Sequence, residues 1–526
     1  MRDFHYNGRS PVFASNGMCA TSHPLAAKTA VQILESGGNA VDAAIAAAVL
    51  LGICEPQMTG IGGDCFVLLS TGASDKVIAL NGSGRAPARL SASMMRAAGH
   101  ETIPVRGVEA VTVPGAIDAF CQLSKDYGKL GLTTSLAPAI YYAKAGVPVA
   151  PRVAFDWALA EGFLQGNAKA FYLINGKAPA VGQIFRAPKQ AEVLERIALE
   201  GRRGFYEGEV AEDMVASLNA LGGVHTLDDF ANTQCDYTTP LSGEYKGTEL
   251  VEHPPNGQGA TAILMNNILS QFDIASMDAL GAERAHVEAE AAKLAYDART
   301  RFIADMGQTT RLDHMLSQQT ADALAGLIDP KRAMVSATKV SESVHKDTVY
   351  LTVVDKDLMS VSLIYSIFHS FGSGLASAKF GINFQNRGSG FTLEKGHPNE
   401  ATGKQRPMHT IIPGMLRKAG KVTMPFGVMG GAYQPNGHAR FMSNMLDFDM
   451  DMQTAMDAPR CFDDGTVMNV ERGYCDTVRA ELADMGHNVA VPKVAIGGAQ
   501  SISINHETGV LEGASDARKD GCALGY

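Results

Sequence analysis

The chain has 526 residues, of which 46% are hydrophobic and 19% charged, and its formal net charge is -10 at pH 7. A chain of this length and composition can bury one or two large cores, so it is not a disordered or low-complexity protein. The negative net charge gives no basic surface for nucleic acid or for an anionic membrane. We therefore expect a small molecule as its partner, with no nucleic acid and no membrane.

The first residues, "MRDFHYNGRSPVF", carry charges and lack the apolar core of a secretory signal. The longest apolar run, residues 43–54, is too short to span a bilayer and is rich in alanine, which predicts a buried helix. The expected location is therefore the cytoplasm.

The predicted elements alternate along the chain. Residues 22–52 predict two helices separated by Gly37, Gly38 and Asn39, which tolerate a left-handed helix end. The glycine-rich turn "TGIGGDCF" leads into a strand from Cys65, and helical patterns dominate from there to about residue 328. The segment 329–347 is polar and predicts a loop. Beyond Thr348, β-branched alternation and glycine turns favour strands.

Residues 348–368 predict a β-hairpin with two hydroxyl groups at its open end. Period-two alternation puts every second residue from Thr348 on one face of the first strand. A three-residue loop at 356–358 would place Thr348 directly opposite Ser366, with their Cβ atoms about 5 Å apart. A slip of one residue in that loop would remove the pairing.

The threonine at the start of this strand is a candidate nucleophile. Its hydroxyl needs a base, and an N-terminal residue carries one in its α-amine, whose pKa is ordinarily about 8. A catalytic Thr348 therefore requires cleavage of the Asp347–Thr348 bond, which divides the 526 residues into chains of 347 and 179. The Thr348 hydroxyl could itself attack the preceding carbonyl, in an N-to-O acyl shift followed by hydrolysis. On these residues alone, an ordinary threonine at a strand end is the favoured interpretation.

Ordered motifs run along almost the whole chain and change that interpretation. They include "GGNAVDAAIAA", "EPQMTGIGGDCF", "NGSGRAPA", "DTVYLTVVDKD", "GKQRPMHTIIPGM" and "GVMGGAYQPNGH". Together they resemble the γ-glutamyltransferase family, a branch of the N-terminal-nucleophile hydrolases. The resemblance implies an α/β (α+β) fold, a four-layer αββα sandwich. It also implies a large chain, residues 1–347, and a small chain, residues 348–526, which form a heterodimer with one catalytic domain and without cofactor or metal. Assembly of this heterodimer into a higher oligomer is left open.

The same resemblance assigns catalytic roles. Thr348 becomes the new N-terminus and the nucleophile, and Ser366 matches a second hydroxyl that supports it. Gly430 and Gly431 match the glycine pair whose N–H groups form the oxyanion hole; a glycine pair by itself would more often be a turn. Arg85, in "NGSGRAPA", matches the arginine that binds the α-carboxylate of the glutamyl group, since a guanidinium fork fits two carboxylate oxygens.

Several positions around the amino end of a glutamyl substrate depart from the family pattern. The replacements are Gly84 for an acidic residue beside the arginine, Phe368 for an asparagine, Arg387 for a glutamine, Gly390 for the aspartate that binds the α-ammonium, and His409 and Thr410 for a serine pair. Arg387 could instead be a structural arginine, and His409 a packing histidine. The departures predict a substrate with a carboxylate but no α-ammonium.

The expected reaction follows from this altered pocket. An ammonium buried near Arg387 without a carboxylate partner would cost several kcal/mol. Oxamate, a small anionic amide, avoids that cost, and the chain resembles the oxamate amidohydrolase branch of the family, which implies conversion of oxamate to oxalate and ammonia. The alternative is a γ-glutamyl hydrolase or transferase acting on glutathione or other γ-glutamyl compounds. A non-catalytic homologue is disfavoured by the retained Thr348, Ser366 and glycine pair.

Overall fold

Two seven-stranded antiparallel sheets form the centre of the computed structural model, which describes residues 8–72, 74–334 and 348–526. In those ranges the strands are β1 (Val12–Ala14), β2 (Gly17–Thr21), β3 (Asp64–Ser70), β4 (Val77–Gly82), β5 (Val147–Pro148), β6 (Ile184–Phe185), β7 (Asp236–Thr238), β8 (Leu241–Tyr245), β9 (Thr248–Glu252), β10 (Val349–Asp355), β11 (Ser360–Ser366), β12 (Gly414–Lys418), β13 (Lys421–Met429), β14 (Cys461–Asp463), β15 (Met468–Val470), β16 (Val489–Ala490), β17 (Gly498–Ile504), β18 (Leu511–Ser515) and β19 (Cys522–Gly525).

The α-helices of the described ranges are α1 (Pro24–Glu35), α2 (Ala40–Cys54), α3 (Ala92–Ala97), α4 (Ala116–Tyr127), α5 (Gly131–Ala145), α6 (Pro151–Ala160), α7 (Asn167–Tyr172), α8 (Pro188–Glu200), α9 (Arg203–Tyr206), α10 (Gly208–Asn219), α11 (Leu227–Ala231), α12 (Gly259–Leu269), α13 (Ala282–Phe302), α14 (Leu312–Leu316), α15 (Gln318–Ala325), α16 (Gln434–Leu446), α17 (Met452–Asp457) and α18 (Asp476–Asp484). The two helices predicted from residues 22–52 are α1 and α2, and the predicted break at Gly37 to Asn39 separates them.

Both large sheets combine strands from the two predicted chains. One sheet has the strand order β1-β18-β17-β13-β12-β9-β8, and the other has the order β19-β2-β10-β11-β3-β4-β7. In the second sheet β10 and β11 lie between β2 and β3, so neither half of the sequence completes its sheets alone. Helices dominate before residue 328 and strands are frequent beyond Thr348, as predicted, but β4 and β7–β9 also precede that residue and α16, α17 and α18 follow it, so the change is less sharp than the sequence pattern suggests.

The layers run helix, sheet, sheet, helix. α1 and α2 cover the outer face of the second sheet, α12 and α16 cover the outer face of the first, and β10 packs across to β13 and β17 between the sheets. Every residue of α2 is buried, because alanines let its backbone approach its neighbours closely. The fold is thus the predicted αββα sandwich. Among the described helices, none combines the length and apolar character that crossing a membrane requires.

The alternation predicted for β10 is confirmed by its packing. Val349 and Leu351 belong to the large core that also contains α1 and α2. Tyr350 lies instead in a cluster with Phe66 and Met429 between the two sheets. Residues at odd and even positions therefore face opposite sides of the strand, and this places the start of β10 at the interface of the two sheets.

Candidate active site

Thr348 and Ser366 are paired at the open end of the β10–β11 hairpin. The register places Val349 opposite Tyr365, so the next pair along is Thr348 and Ser366. The Thr348 hydroxyl donates a hydrogen bond to Ser366 Oγ at 3.3 Å, and both side chains are buried. The hydroxyl pair predicted from periodicity is therefore confirmed. Asp347, the other residue of the predicted cleavage site, lies outside the described residues.

A buried cation lies beside this pair. Arg387 Nη2 donates to Ser366 Oγ at 3.3 Å, and Nη1 donates to Thr410 Oγ1 at 3.0 Å. The guanidinium carbon lies 3.9 Å from the centroid of the Phe368 ring, within the range of a cation–π contact. The structure thus brings the predicted residues Ser366, Phe368, Arg387 and Thr410 together with Thr348. It places a positive charge two hydrogen bonds from the candidate nucleophile.

Phe368 has a backbone conformation that bulky residues rarely adopt. Its φ is +79°, in the region that ordinarily favours glycine. The Phe368 N–H donates to Ser366 Oγ at 2.9 Å, and its ring packs under the Arg387 guanidinium. These two contacts account for a strained residue two positions after Ser366, because together they orient the Ser366 hydroxyl and the Arg387 guanidinium.

Asp64 is a site residue that the sequence analysis did not select. Its Oδ1 accepts hydrogen bonds from the N–H groups of Gly84 (2.8 Å) and Gly115 (3.1 Å) and from Gln385 Nε2 (2.9 Å). It begins β3, and its neighbour across the sheet in β11 is Ser366. An acidic residue at the head of the otherwise uncharged and buried strand "DCFVLLS" was the signal that could have identified it.

His409 completes this network as a neutral donor. Its Nε2 lies 3.2 Å from Asp64 Oδ2, and its Nδ1 accepts the N–H of Ile411 at 3.4 Å, so Nε2 carries the proton. Burial, assisted by the positive charge of Arg387, holds the pKa of His409 well below its usual range. A neutral His409 therefore holds the Asp64 carboxyl in place, and its predicted contact with substrate stays a prediction.

The carboxyl of Asp64 predicts a specific pH dependence of stability. Burial raises its pKa from 3.8 to about 6, although Arg387 opposes the shift. The pKa of Asp64 is higher in the folded chain than in the unfolded chain. The contribution of Asp64 to the free energy of unfolding is therefore fully present below about pH 4, and it is lost as the pH rises through about 6. In a single-chain Thr348→Ala protein, the free energy of unfolding should fall by about 2 kcal/mol between pH 4 and 7, relative to the same protein with the added Asp64→Asn change. Urea titrations at four pH values measure this; a difference that does not vary with pH would refute the assignment.

The glycine pair lies where a strand turns into a helix. Gly430 and Gly431 follow β13 and have φ of +123° and +57°, and α16 begins three residues later, at Gln434. The N-terminal end of a helix carries a partial positive charge that favours anions. Thr348 and Gly430 line the same cavity of about 480 Å³. The arrangement suits an oxyanion hole, and that role stays a prediction.

Gln258 is a second residue that the sequence analysis missed. Its Nε2 donates to the carbonyl oxygens of Thr410 (2.6 Å) and Gly431 (2.9 Å). Arg299 Nη1 in turn donates to Gln258 Oε1 at 2.7 Å. The Gln258 side chain therefore connects the loop of Thr410, whose hydroxyl accepts a hydrogen bond from Arg387, to the loop of the glycine pair.

Arg85 is engaged by two carboxylates. Its guanidinium lies 3.2 Å from Asp236 Oδ2 and 3.2 Å from Asp305 Oδ2, and its side chain is 39% exposed. The contacts described for it do not include Thr348 or Ser366. Its predicted binding of a substrate carboxylate stays a prediction, and it would require the substrate to compete with these two aspartates.

Two histidines and a glutamate lie close enough together to be considered as a metal site, although the sequence predicts no metal. His286, Glu290 and His487 place one potential ligand atom each within 4.8 Å of one another. Their polar atoms are engaged by protein groups: Lys293 Nζ lies 2.7 Å from Glu290 Oε1, and His286 Nδ1 lies 2.8 Å from His487 Nε2. A metal would have to displace the Lys293 ammonium, so we assign no metal to this group.

Comparisons with known proteins cover almost the whole chain. The family model described as Gamma-glutamyltranspeptidase matches residues 26–526. The glutathione hydrolase-like YwrD proenzyme of Bacillus subtilis (strain 168) is 34% identical over 98% of this chain and 99% of its own length. The oxamate amidohydrolase proenzyme of Klebsiella pneumoniae subsp. pneumoniae is 32% identical, again over 98% and 99%.

The fold is also found among solved structures. The crystal structure of cephalosporin acylase from Bacillus halodurans matches with a TM-score of 0.92 and 37% sequence identity, over 100% of this chain and 99% of that one. Its full-length match shows that both large sheets and their helical layers are shared. The chain therefore belongs to the gamma-glutamyltranspeptidase family, as a self-processed N-terminal-nucleophile hydrolase that uses a threonine to cleave amides.

Proposed function

We propose that the two-chain enzyme, residues 1–347 and 348–526, hydrolyses a small amide whose acyl group carries a carboxylate, with oxamate as the favoured substrate. The observation that carries this proposal is the buried Arg387 guanidinium, which lies two hydrogen bonds from the Thr348 hydroxyl. A guanidinium binds a carboxylate through charge-assisted hydrogen bonds and repels an ammonium group. The site therefore favours an anionic acyl group without an amino group.

The length of the acyl group follows from the same contacts. In oxamate the carboxylate is bonded directly to the amide carbon that Thr348 Oγ1 attacks. It then lies within reach of a guanidinium separated from Oγ1 by two contacts of 3.3 Å each. In a γ-glutamyl group, three further carbons separate the carboxylate from the amide carbon. The carbon that bears this carboxylate also bears an ammonium group. That arrangement would bring a second cation towards Arg387.

The reaction uses groups that the fold brings together. After cleavage before Thr348, its α-amine accepts the Oγ1 proton, and Oγ1 bonds to the amide carbon. The N–H groups of Gly430 and Gly431 stabilise the negative carbonyl oxygen. The C–N bond breaks and the nitrogen leaves as ammonia after taking the proton. Water then hydrolyses the ester on Thr348, which releases oxalate and restores the hydroxyl.

A γ-glutamyl substrate is the second candidate. The cavity of about 480 Å³ beside Thr348 is larger than ammonia needs, and a relative similar to this chain is named glutathione hydrolase-like. In this case Arg85 would bind the α-carboxylate after release from Asp236 or Asp305. The two candidates therefore depend on different arginines.

Replacing Arg387 with methionine should reduce kcat/KM for oxamate by about 10², because a desolvated carboxylate loses its cation. Ammonia release from oxamate and cleavage of γ-glutamyl p-nitroanilide are measured side by side. Arg85→Met is the matched control and should leave oxamate turnover unchanged. Denaturing gels confirm that both variants are processed, so that misfolding is not mistaken for lost binding. Wild-type enzyme that cleaves only the anilide, with a loss in Arg85→Met, would reject the oxamate proposal in favour of the second candidate.

A further inference from the structure

The described residues that form the wall of the cavity beside Thr348 do not include the side chains that would hold the carboxylate of the acyl group. Thr348 and Gly430 lie in its wall, whereas Ser366, Phe368 and Arg387 are not among its lining residues. Its volume of about 480 Å³ falls within the range of small-molecule sites, about 300–1,000 Å³. A carboxylate-bearing acyl group held by Arg387 would leave this space to the other half of the amide, the departing amine.

The walls of the cavity carry more positive than negative charge. Its described lining residues include four cations and two carboxylates. Arg152 Nε is bound to both carboxylate oxygens of Asp156 at 2.8 Å, so these two charges offset each other. Lys519 is nearly buried, and its Nζ lies 4.0 Å from Asp156, while Lys493 is exposed. Lys493 and Lys519 are therefore the two cations through which the cavity would bind an anion.

Aromatic rings form another part of the wall. Tyr433 and Phe462 meet edge to face with their centroids 5.5 Å apart. Phe163 carries the Arg106 guanidinium 4.1 Å above its ring centroid, and Arg106 is held in place by the Ser370 carbonyl at 2.6 Å. Flat apolar surfaces of this kind bind an aromatic ring by stacking and edge contacts.

We propose that this cavity is a leaving-group subsite for an amine that combines an aromatic ring with a carboxylate. The ring packs among Phe163, Tyr433 and Phe462, and the carboxylate pairs with Lys493 or Lys519. The proposal rests on the proposed amide hydrolysis at Thr348, but it does not depend on which acyl group is transferred. It predicts that N-aryl oxamates are also substrates, and that those with an acid group on the ring are turned over better than those without one.

A pair of substrates with one acyl group tests the subsite. N-phenyloxamate and N-(4-carboxyphenyl)oxamate differ only in the carboxylate on the leaving amine, and release of aniline or 4-aminobenzoate is followed by chromatography. We expect wild-type enzyme to have a higher kcat/KM for the carboxylated amide. At least one of the variants Lys519→Met and Lys493→Met, the one whose lysine pairs with the carboxylate, should lower the ratio of the two kcat/KM values by about fivefold. Comparing ratios between variants cancels the intrinsic reactivity of the amides.

Controls separate failure of the subsite from failure of the acyl assignment. Lys28→Met, on the exposed surface of α1, should leave the ratio unchanged. If both oxamates are inert, the γ-glutamyl amides of the same two amines replace them; a lysine-dependent ratio there supports the subsite and rejects oxamate. Titration calorimetry with 4-aminobenzoate and aniline measures binding to the subsite without any turnover. Equal binding of the two amines, or a ratio that neither lysine variant changes, would overturn the proposal.

Discussion

Replacing Thr348 with alanine is expected to give a single chain of 55.6 kDa and to remove hydrolysis, with kcat reduced by roughly 10⁴ or more. The same hydroxyl is needed twice. It attacks the preceding carbonyl during cleavage of the precursor, and it attacks the substrate in the mature enzyme. Its hydrogen bond to Ser366 is the contact that positions it. Denaturing gels report the first reaction, and ammonia release from oxamate together with anilide hydrolysis reports the second.

Thr348→Ser is the matched control for this experiment. Serine keeps a hydroxyl and, after cleavage, an α-amine on the same residue, so processing and turnover should both be retained at a reduced rate. A Thr348→Ala protein that is still cut before residue 348, or that hydrolyses amides at the wild-type rate, would show that another group is the nucleophile.

Replacing Gly430 with alanine should reduce kcat by about 10² to 10³, the usual effect of losing one oxyanion-hole donor. Gly430 has φ of +123°, which an alanine rarely adopts, and an added Cβ would lie 3.1 Å from the Gly497 backbone. Relief of this strain rotates the peptide groups on either side and turns their N–H groups away from the cavity. Initial rates at saturating substrate give kcat, and gels show whether precursor cleavage slows as well.

Gly509→Ala is the matched control for the glycine variant. Gly509 also has a positive φ, of +73°, in the turn between β17 and β18, and a Cβ there would meet no atom within 4 Å. The Gly509→Ala change therefore places an alanine at a positive φ, as Gly430→Ala does, but outside the cavity wall that contains Thr348. Equal losses of kcat in the two variants would mean that Gly430 acts through stability and not through the oxyanion.

The hairpin shows what the sequence alone can predict. Alternation along β10 is a local property, and with a three-residue loop the register follows from counting, so the pairing of Thr348 with Ser366 could be predicted. Leu358, with φ of +60°, is the residue that closes this loop. The αββα sandwich and the roles of the glycine pair came instead from the family resemblance, because no local pattern specifies how two sheets stack.

Other contacts of the site could not be predicted because their partners are far apart in sequence. Arg85 pairs with Asp236 and Asp305, at separations of 151 and 220 residues. Asp64 meets His409 across 345 residues. Composition and periodicity carry no signal for such pairs.

The leaving-group cavity was missed for the same reason. Its walls combine α6, the loop around Arg106 and the segments that contain Lys493 and Lys519. None of these segments is marked as functional by its own sequence. What the motifs identify is the chemistry at Thr348, whereas the chemistry of the substrate depends on side chains that only the fold brings together.

The intact mass and N-terminal sequence of the purified wild-type chains will show whether Thr348 is the N-terminal nucleophile. Self-processing at Thr348 predicts chains of 347 and 179 residues, from the 526 of the precursor, and a smaller chain that begins "TVYLTVVDKD". A catalytically active protein that remains a single chain, or a small chain that begins at any other residue, would contradict the assignment of Thr348 as the N-terminal nucleophile.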